Sequence, residues 1–206
     1  MSIEFTAVSK APLSIGDDIV DLSLANDLHP RFANRVFTDS EREAIRDSWS
    51  LLWLHWAAKE AAYKAFKRIN TALVFLPKRF QFDIDTATVS TPTGTGHCRW
   101  SVNGDFVHVG CTTGRCSDLM QLRSWTAQIV EDKERVQAKE HSMCARQLAI
   151  LKVAQALDLS EQDLRISNNR KGAWSSIPFL EVKGRPLEYP ISLSHDGRFV
   201  SCSLRL

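Results

Sequence analysis

The sequence predicts an α+β fold organised as a pseudo-dimer, in which two similar halves each pack a long helix on a small antiparallel sheet. Two helix-length stretches, residues 50–68 and 139–157, are each followed by segments with the alternation or turn residues of strands. Each block ends in a hairpin, and residues 101–107 and 194–200 share four of seven positions. A functional site is then expected at the pseudo-twofold interface. Chance similarity is the alternative, because Asn-Gly and Asp-Gly hairpins are the commonest kind.

Composition places the chain among ordinary globular proteins. Of its 206 residues, 44% are hydrophobic and 24% are charged, which excludes a disordered or fibrous protein. The net charge of +2 is too balanced for a general nucleic-acid-binding surface, so we expect no nucleic-acid partner. Five cysteines without a CxxC pair argue against a disulfide framework and a structural zinc site. Because neither a signal peptide nor a membrane-spanning run is evident, we expect a cytoplasmic protein.

The first half is expected to comprise residues 1–116. Thr38 and Glu41 have the spacing of a capping box and predict a short helix there. The other elements expected in this half are a strand within 13–22, the helix over 50–68, a strand over 79–85, a loop over 86–96 and two strands that meet at Asn103-Gly104.

The second half is expected to comprise residues 136–206, after a connection over 117–135 in which no pattern is clear. Its helix over 139–157 has apolar residues at helical spacing. The strands expected after it are residues 163–167, residues 178–182 and a final hairpin that turns at Asp196-Gly197.

The predicted helix over 50–68 has two unlike faces. At 100° per residue an apolar stripe forms one face, made of Leu51, Leu54, Ala58, Ala62, Ala65 and Ile69. The opposite face combines tryptophans with charges, namely Trp53, Trp56, Glu60, Lys64 and Lys67. Tryptophans on such a face need a cover, which we expect the second half to supply. The alternative for Glu60 and Lys64 is an exposed i,i+4 ion pair of about 0.2–0.5 kcal/mol.

Three acids occupy the first predicted strand, which is otherwise apolar. Alternation places Asp18 on the opposite face from Asp17 and Asp21, and the latter two are expected to face water. Gly16 permits a close approach or an irregular backbone beside them. Asp18 together with Glu60 would make a hard oxygen site suited to Mg²⁺, which takes few carboxylates and keeps waters or phosphate oxygens as further ligands.

These motifs resemble those of the 4′-phosphopantetheinyl transferases, whose signature is G-[IV]-D followed by W-x-x-K-E-[AS]-x-x-K. The matching segments here are GDDIVDL from Gly16, RFANRVFTDSE from Arg31 and WAAKEAAYK from Trp56. In the second half ARQL, DLRIS and ISLSHDGRFVSCSL resemble the Ser-His half of the two-half, surfactin-synthetase-activating branch. The resemblance covers most of the chain except residues 1–12 and the connection.

Two features depart from that branch. Its members carry the Ser-His half first, whereas in this chain the order of the halves is reversed, as in a circular permutation. Val20 stands where the branch has a Glu two residues after the Asp, although the trimeric holo-acyl-carrier-protein synthases share the G-x-D-I-V form. The resemblance therefore implies a metal site that replaces one protein ligand with water.

The resemblance implies transfer of the phosphopantetheine arm of coenzyme A to a serine of an apo acyl or peptidyl carrier protein, with release of 3′,5′-ADP. Mg²⁺, or Mn²⁺ in its place, would be held by Asp18 and Glu60, with Lys64 on the same pyrophosphate oxygens. The base for the serine is left open between Glu60 and a metal-bound water. A catalytically inactive module that binds coenzyme A or a carrier protein is the alternative function.

The resemblance also implies binding residues outside the metal site. Ser194, His195 and Arg146 would contact coenzyme A phosphates, and Lys171 would lie near the adenine. Arg31 and Arg35, with Phe32 and Val36 between and beside them, would dock the acidic carrier protein of fatty-acid or polyketide biosynthesis. Because two halves in one chain complete the site, we expect a monomer.

Overall fold

The computed structural model describes residues 13–24, 31–129, 138–170 and 176–206. The helices are α1 (Phe32–Val36), α2 (Asp39–Ile45), α3 (Trp49–Ile69) and α4 (Ala138–Leu157). The strands are β1 (Ile15–Asp21), β2 (Gln81–Asp83), β3 (Thr88–Thr91), β4 (Gly94–Val102), β5 (Phe106–Thr112), β6 (Leu122–Gln128), β7 (Leu164–Arg170), β8 (Ser176–Val182), β9 (Arg185–Pro186), β10 (Ile191–Asp196) and β11 (Phe199–Arg205). The α+β class predicted from the sequence is confirmed.

A five-stranded antiparallel sheet of order β1-β5-β4-β3-β2 forms the core of the first half, with α3 packed across it. Gly16 in β1 is where strand and helix meet most closely. A Cβ atom at this position would lie 1.8 Å from the carbonyl oxygen of Ala61 and 2.7 Å from the amide nitrogen of Ala65. Glycine at this position therefore serves the contact between β1 and α3, one of the two uses expected for it.

The second half contains two three-stranded antiparallel sheets, with orders β10-β11-β6 and β7-β8-β9. Helix α4 packs on β10 and β11 and contacts β7. The buried side chains that join these elements include Ala149, Val153, Leu180, Ile191 and Leu204. Each half thus has its own apolar core beneath its own long helix.

The two halves repeat one strand register. β1 pairs with β5 through seven positions that end at Asp21 opposite Phe106, and β6 pairs with β11 through seven that end at Gln128 opposite Phe199. The third strand of each set also matches, because β4 sets Val102 opposite Val107 and β10 sets His195 opposite Val200. This is the arrangement expected of two related halves.

The halves meet where β1 packs against β10 and β11. Near the hairpin ends, Phe106 and Phe199 touch with ring centroids 5.0 Å apart, and Arg198 Nη2 lies 3.7 Å from Asp105 Oδ1. Phe106 and Phe199 hold equivalent register positions, and so do Asp105 and Arg198. Contact between equivalent residues is the geometry of a pseudo-twofold axis.

The structure refines several boundaries predicted from the sequence. The helices over 50–68 and 139–157 are confirmed as α3 and α4, and the Thr38–Glu41 capping box is present at α2. The loop predicted over 86–96 was wrong, because β3 and β4 form a hairpin there. The predicted connection over 117–135 contains β6, which belongs to the sheet of the second half. The division of the chain into two halves stays a prediction.

The expectation that Asp17 and Asp21 face water was also wrong, since both side chains are fully buried. The face of β1 opposite Asp18 packs on the second half, where Ser203 bonds to Asp17 and Arg198 bonds to Asp21. None of the described helices is long and apolar enough to cross a membrane.

Candidate active site

A cavity of about 290 Å³ opens between the two halves. Its walls come from β1, from α3 and from the turn of the β10–β11 hairpin. The residues that line it are Asp18, Ile19, Val20, Leu24, Trp53, Trp56, Glu60, His195 and Asp196. The predicted acids and the predicted histidine therefore lie in one cavity, although they are separated by up to 177 positions in the chain.

Asp18 is the centre of a small hydrogen-bond network that joins the halves. Its Oδ1 accepts a 2.7 Å hydrogen bond from Lys64 Nζ and a 3.1 Å bond from the hydroxyl of Ser194. Lys64 Nζ also donates to the Ser194 hydroxyl at 3.1 Å and to the Asp17 carbonyl at 2.9 Å. Three of the predicted site residues thus contact one another across the interface between β1, α3 and β10.

The lysine in this network uses all three of its donors within the protein. Burial by itself would lower the pKa of Lys64, but the charge of Asp18, together with Asp17 and Glu60, holds it above its ordinary value. Lys64 therefore remains a cation. A bound phosphate could reach it only by exchange with one of these partners, of which the Ser194 hydroxyl is the longest contact.

Asp18 and Glu60, the two carboxylates predicted as metal ligands, both have raised pKa values. Burial raises the pKa of Asp18, and the Lys64 ammonium only partly offsets this effect. Burial and then the charge of Asp18 raise the pKa of Glu60 to about 7, and Lys64 opposes the change. Because the charge of Asp18 raises the pKa of Glu60, a cation between the two carboxylates would stabilise their charged forms.

A divalent cation fits this donor set with few protein ligands. Asp18 and Glu60 both line the cavity, as does the buried apolar side chain of Val20. Among the described residues there is no cluster of three or more His, Cys, Asp or Glu side chains that could hold a metal. Two carboxylates with an otherwise open coordination sphere suit Mg²⁺, which keeps several waters or phosphate oxygens.

His195 lies on the opposite wall from the carboxylates and beside a second histidine that the sequence did not single out. The ring centroids of His195 and His141 are 5.7 Å apart, and His141 comes from α4. Burial lowers the pKa of His195, and the nearby charges of His141 and Lys64 lower it further. An anion at this wall would relieve that repulsion.

The tryptophan face of α3 packs partly against α1 and partly lines the cavity. Phe32 of α1 packs on Trp53 and Trp56, with ring centroids 5.7 and 5.5 Å apart. His195 and Asp196 of the second half line the same cavity as the two tryptophans. The cover expected from the second half is therefore shared with a short helix of the first.

A buried ion pair between α2 and α3 was not predicted from the sequence. Lys59, fully buried, donates to Glu41 Oε2 at 2.7 Å and to the carbonyls of Val36 and Pro77. Glu41 Oε1 accepts from the Phe82 amide at 3.0 Å. The pair ties α2 and the 3₁₀ turn at Pro77 to the residue next to Glu60. The capping box identified Glu41, but its partner is 18 residues away and has no local pattern.

Asp17 is the centre of a second missed cluster. Its carboxylate accepts hydrogen bonds from the hydroxyls of Ser201 at 2.5 Å and Ser203 at 2.6 Å, and lies 2.7 Å from His108 Nε2. Burial would raise the pKa of Asp17, but His108 and the two hydroxyls hold it below its ordinary value. Asp17 stands at the position where the G-[IV]-D pattern has an apolar residue.

Arg146, Arg31 and Arg35 do not line the cavity. Arg146 on α4 donates to the Ile166 carbonyl at 3.3 Å and to Asn168 Oδ1 at 3.0 Å, both on β7. Lys171 lies outside the described residues. Arg31 and Arg35 are exposed beside α1, whereas Val36 is buried and is not available to a partner.

Residues 14–111 match the sequence model of the 4′-phosphopantetheinyl transferase superfamily. The matched segment runs from the residue before β1 into β5, so it contains Asp18, Glu60 and Lys64 but ends before β6. No curated protein matches the chain.

Proposed function

We propose that this chain, whose residues 14–111 match the model of the 4′-phosphopantetheinyl transferase superfamily, transfers the phosphopantetheine arm of coenzyme A to a serine of an apo carrier protein. The observation that carries the proposal is the cavity between the halves, which Asp18, Glu60 and His195 line together. The match to the family contains the two acids, and the histidine comes from the half beyond the match.

The reaction is an in-line displacement at phosphorus. The serine oxygen of the carrier forms a bond to the phosphorus that bears pantetheine, the bond from that phosphorus to the bridging oxygen breaks, and 3′,5′-ADP leaves. The serine proton passes to a base or to solvent. In such a transfer the protein forms no covalent bond to the substrate. It accelerates the reaction by positioning the reactants and neutralising their charge.

Asp18 and Glu60 are the residues that would hold Mg²⁺. The bound ion would neutralise charge on the pyrophosphate oxygens. Asp18 is held by Lys64 and Ser194 before any ligand arrives, and Glu60 lies on α3 one turn before Lys64. Such preorganisation lowers the reorganisation needed during the transfer.

Ser194, His195 and Lys64 would contact the phosphates of coenzyme A. Lys64 can exchange its Ser194 contact for a phosphate oxygen while it keeps Asp18 and the Asp17 carbonyl. His195 is exposed near the end of β10, where its side chain is accessible to a ligand. Phosphate contacts from Arg146 and Lys171 stay predictions, because the first contacts β7 and the second lies outside the described residues.

Arg31, Arg35 and Phe32 would form the docking surface for the carrier protein. The two arginines are exposed, and Phe32 between them packs directly on the tryptophans of the cavity wall. A carrier bound at α1 would therefore bring its serine near the cavity. Carrier proteins are acidic, so charge complementarity would speed their association.

The proposal is tested by incubating the protein with coenzyme A, Mg²⁺ and several apo carrier proteins, and by measuring the carrier mass. We expect the mass of one phosphopantetheine group to be added. Asp18→Asn and Glu60→Gln should each lower the rate by about 100-fold or more, whereas Asp85→Asn, an exposed carboxylate of the same half, should leave it unchanged. No adduct on any carrier would overturn the proposal.

One observation favours a second candidate, a binding module without transferase activity. Val20 is apolar and buried where the two-half branch has an acid, so one metal ligand is absent. The same experiment separates the two functions. A binding module would retain coenzyme A in calorimetry, and it would yield no modified carrier at any Mg²⁺ or Mn²⁺ concentration.

A further inference from the structure

The β10–β11 hairpin, in which His195 lies near the end of β10, is bonded at its turn to Asp21 of β1, a carboxylate that has no part in the proposed chemistry. Asp21 is fully buried, and its Oδ2 accepts hydrogen bonds of 2.9 Å from both the backbone N–H and Nε of Arg198. Its Oδ1 accepts a further 2.9 Å bond from Arg198 Nη2 and bonds from the backbone and hydroxyl of Ser23. The Arg198 guanidinium thus makes a bidentate pair with the Asp21 carboxylate, and such pairs are strong and directional.

The backbone of Asp21 is held by the same turn. Its N–H donates to Asp196 Oδ2 at 2.8 Å, and Asp196 also lines the cavity. Gly197, with φ of +48°, completes the contact, because a Cβ atom there would lie 2.6 Å from Asp21 Oδ2. Asp196, Gly197 and Arg198 thus all lie against Asp21.

His195 therefore lies between two attachments to β1. On one side Ser194 donates to Asp18, and on the other Asp196 accepts from the Asp21 amide. The imidazole projects from the short segment between these two bonds. Its position relative to β1 therefore depends on both contacts, and the outer one is made to the Asp21 backbone.

We propose that Asp21 and Arg198 are positioning residues, which hold His195 at the distance from Asp18 and Glu60 that a coenzyme A phosphate requires. The inference rests on the proposed function. Arg198 acts here through Asp21 and not on the ligand, since its Nε and Nη2 are both committed to the carboxylate. Its other acidic neighbour, Asp105, is exposed and lies 3.7 Å from Nη2.

Steady-state kinetics of Arg198→Met test the inference. We expect the KM for coenzyme A to rise about tenfold while kcat changes by less than about threefold, because ground-state phosphate binding is weakened and the metal carboxylates stay in place. Arg198→Lys restores one charged donor and should recover most of the lost affinity. Asp105→Asn is the matched control and should leave both constants unchanged. An unaltered KM in Arg198→Met would overturn the inference.

Two further variants distinguish positioning from a direct or a merely structural role. If Arg198 bound phosphate itself, Asp21→Asn would free it and lower the KM, whereas positioning requires the KM to rise. The double variant Arg198→Met/His195→Ala should bind coenzyme A no more weakly than His195→Ala alone, because both changes remove one contact. Additive losses, or a lower KM in Asp21→Asn, would each overturn the proposal.

NMR spectra of the ligand-free protein test the positioning role of Arg198 independently of the proposed transferase activity. In the ligand-free protein, Arg198→Met should shift the imidazole resonances of His195, and it should leave the indole resonance of Trp49 unchanged. These spectra need no turnover. If the wild-type protein modifies no carrier, the proposed function fails, and an unshifted His195 in the variant would overturn the positioning role independently.

Discussion

The strand sets β1-β5-β4 and β6-β11-β10 have the same register and different residues. Gly16 and Asp18 of the first set correspond to Arg123 and Trp125 of the second, and Val102 of the first corresponds to His195 of the second. The carboxylates and the histidine thus come from different halves. The cavity lies where β1 meets β10, whereas Trp125 packs against the core beneath α4 and Val102 is exposed.

This asymmetry shows how a repeated fold can yield a single site. Both halves supply a sheet beneath a long helix, but β10 and β11 contact β1 far more extensively than β4 and β5 contact β6. Under the proposed function, the side chains where β1 meets β10 are those that would bind a cation and phosphate. Exchanging or removing the residues in which the halves differ tests which of them matter.

Gly16→Ala should have the largest effect on stability. The added methyl group would lie 1.8 Å from a helix carbonyl, and neither β1 nor α3 can move without breaking the network around Asp18. We expect the free energy of unfolding to fall by about 4 kcal/mol or more, measured by urea denaturation. Gly104→Ala is the control, since a Cβ at that hairpin tip contacts nothing within 4 Å. Equal midpoints for the two variants would contradict this account.

Asp17→Ala should destabilise the interface between the halves by about 3 kcal/mol, because it leaves buried His108 and two buried hydroxyls without their acceptor. Its register equivalent Ser124 makes one side-chain contact, to Ser203 at 2.8 Å, so Ser124→Ala should cost about 1 kcal/mol. Urea denaturation of both variants gives the comparison. A loss in Ser124→Ala as large as that in Asp17→Ala would show that the charge is not what joins the halves.

Local patterns in the sequence account for much of this comparison. Capping residues, helix periodicity and hairpin turns depend on neighbours within a few positions, and the elements they predicted are present at α2, α3, α4 and β10–β11. Asp18 and Glu60 were identifiable because an acid in an apolar strand and an acid on a tryptophan-bearing face are both costly without a partner.

The rest could not be predicted, because it depends on which distant groups are brought together. Asp17 is buried only because Ser201 and Ser203 lie 184 and 186 positions later. Strand β6 was missed since its polar and apolar residues do not alternate, and its position is set by pairing with β11. For Arg146 the motif matched, but the motif does not determine where the side chain points, and Arg146 contacts Asn168 on β7.

Glu41→Gln should alter the acid dependence of stability of the first half. Burial would raise the pKa of Glu41, but His55, Lys59 and the Thr38 amide lower it to about 2, from an ordinary 4.5. A depressed pKa in the folded state contributes stability above the unfolded pKa, and this contribution is lost as the pH falls from about 4.5 towards 2. The variant should lose about 2 kcal/mol at neutral pH and little at pH 2 to 3.

The free energy of unfolding, measured in urea at several pH values between 2 and 7, tests this prediction. The wild-type and Glu41→Gln curves should converge as the pH falls. Asp39→Asn is the matched control, because Asp39 is exposed at the same helix and forms only a surface pair with Arg42. Parallel curves for wild type and Glu41→Gln would mean that the carboxylate charge is not what stabilises the buried lysine.

Val102→His should have the smallest effect and tests the asymmetry most directly. It places an imidazole at the register equivalent of His195, on a side chain that is 41% exposed, so we expect a change in stability within about 0.5 kcal/mol and unchanged transfer kinetics. In the second half Trp125 holds the register position of Asp18, so the new imidazole would not be paired with the carboxylates of the cavity. His195→Val, in contrast, should raise the KM for coenzyme A about tenfold. If Val102→His restored coenzyme A affinity to His195→Val, the carboxylates on one side would not be what makes a single interface functional.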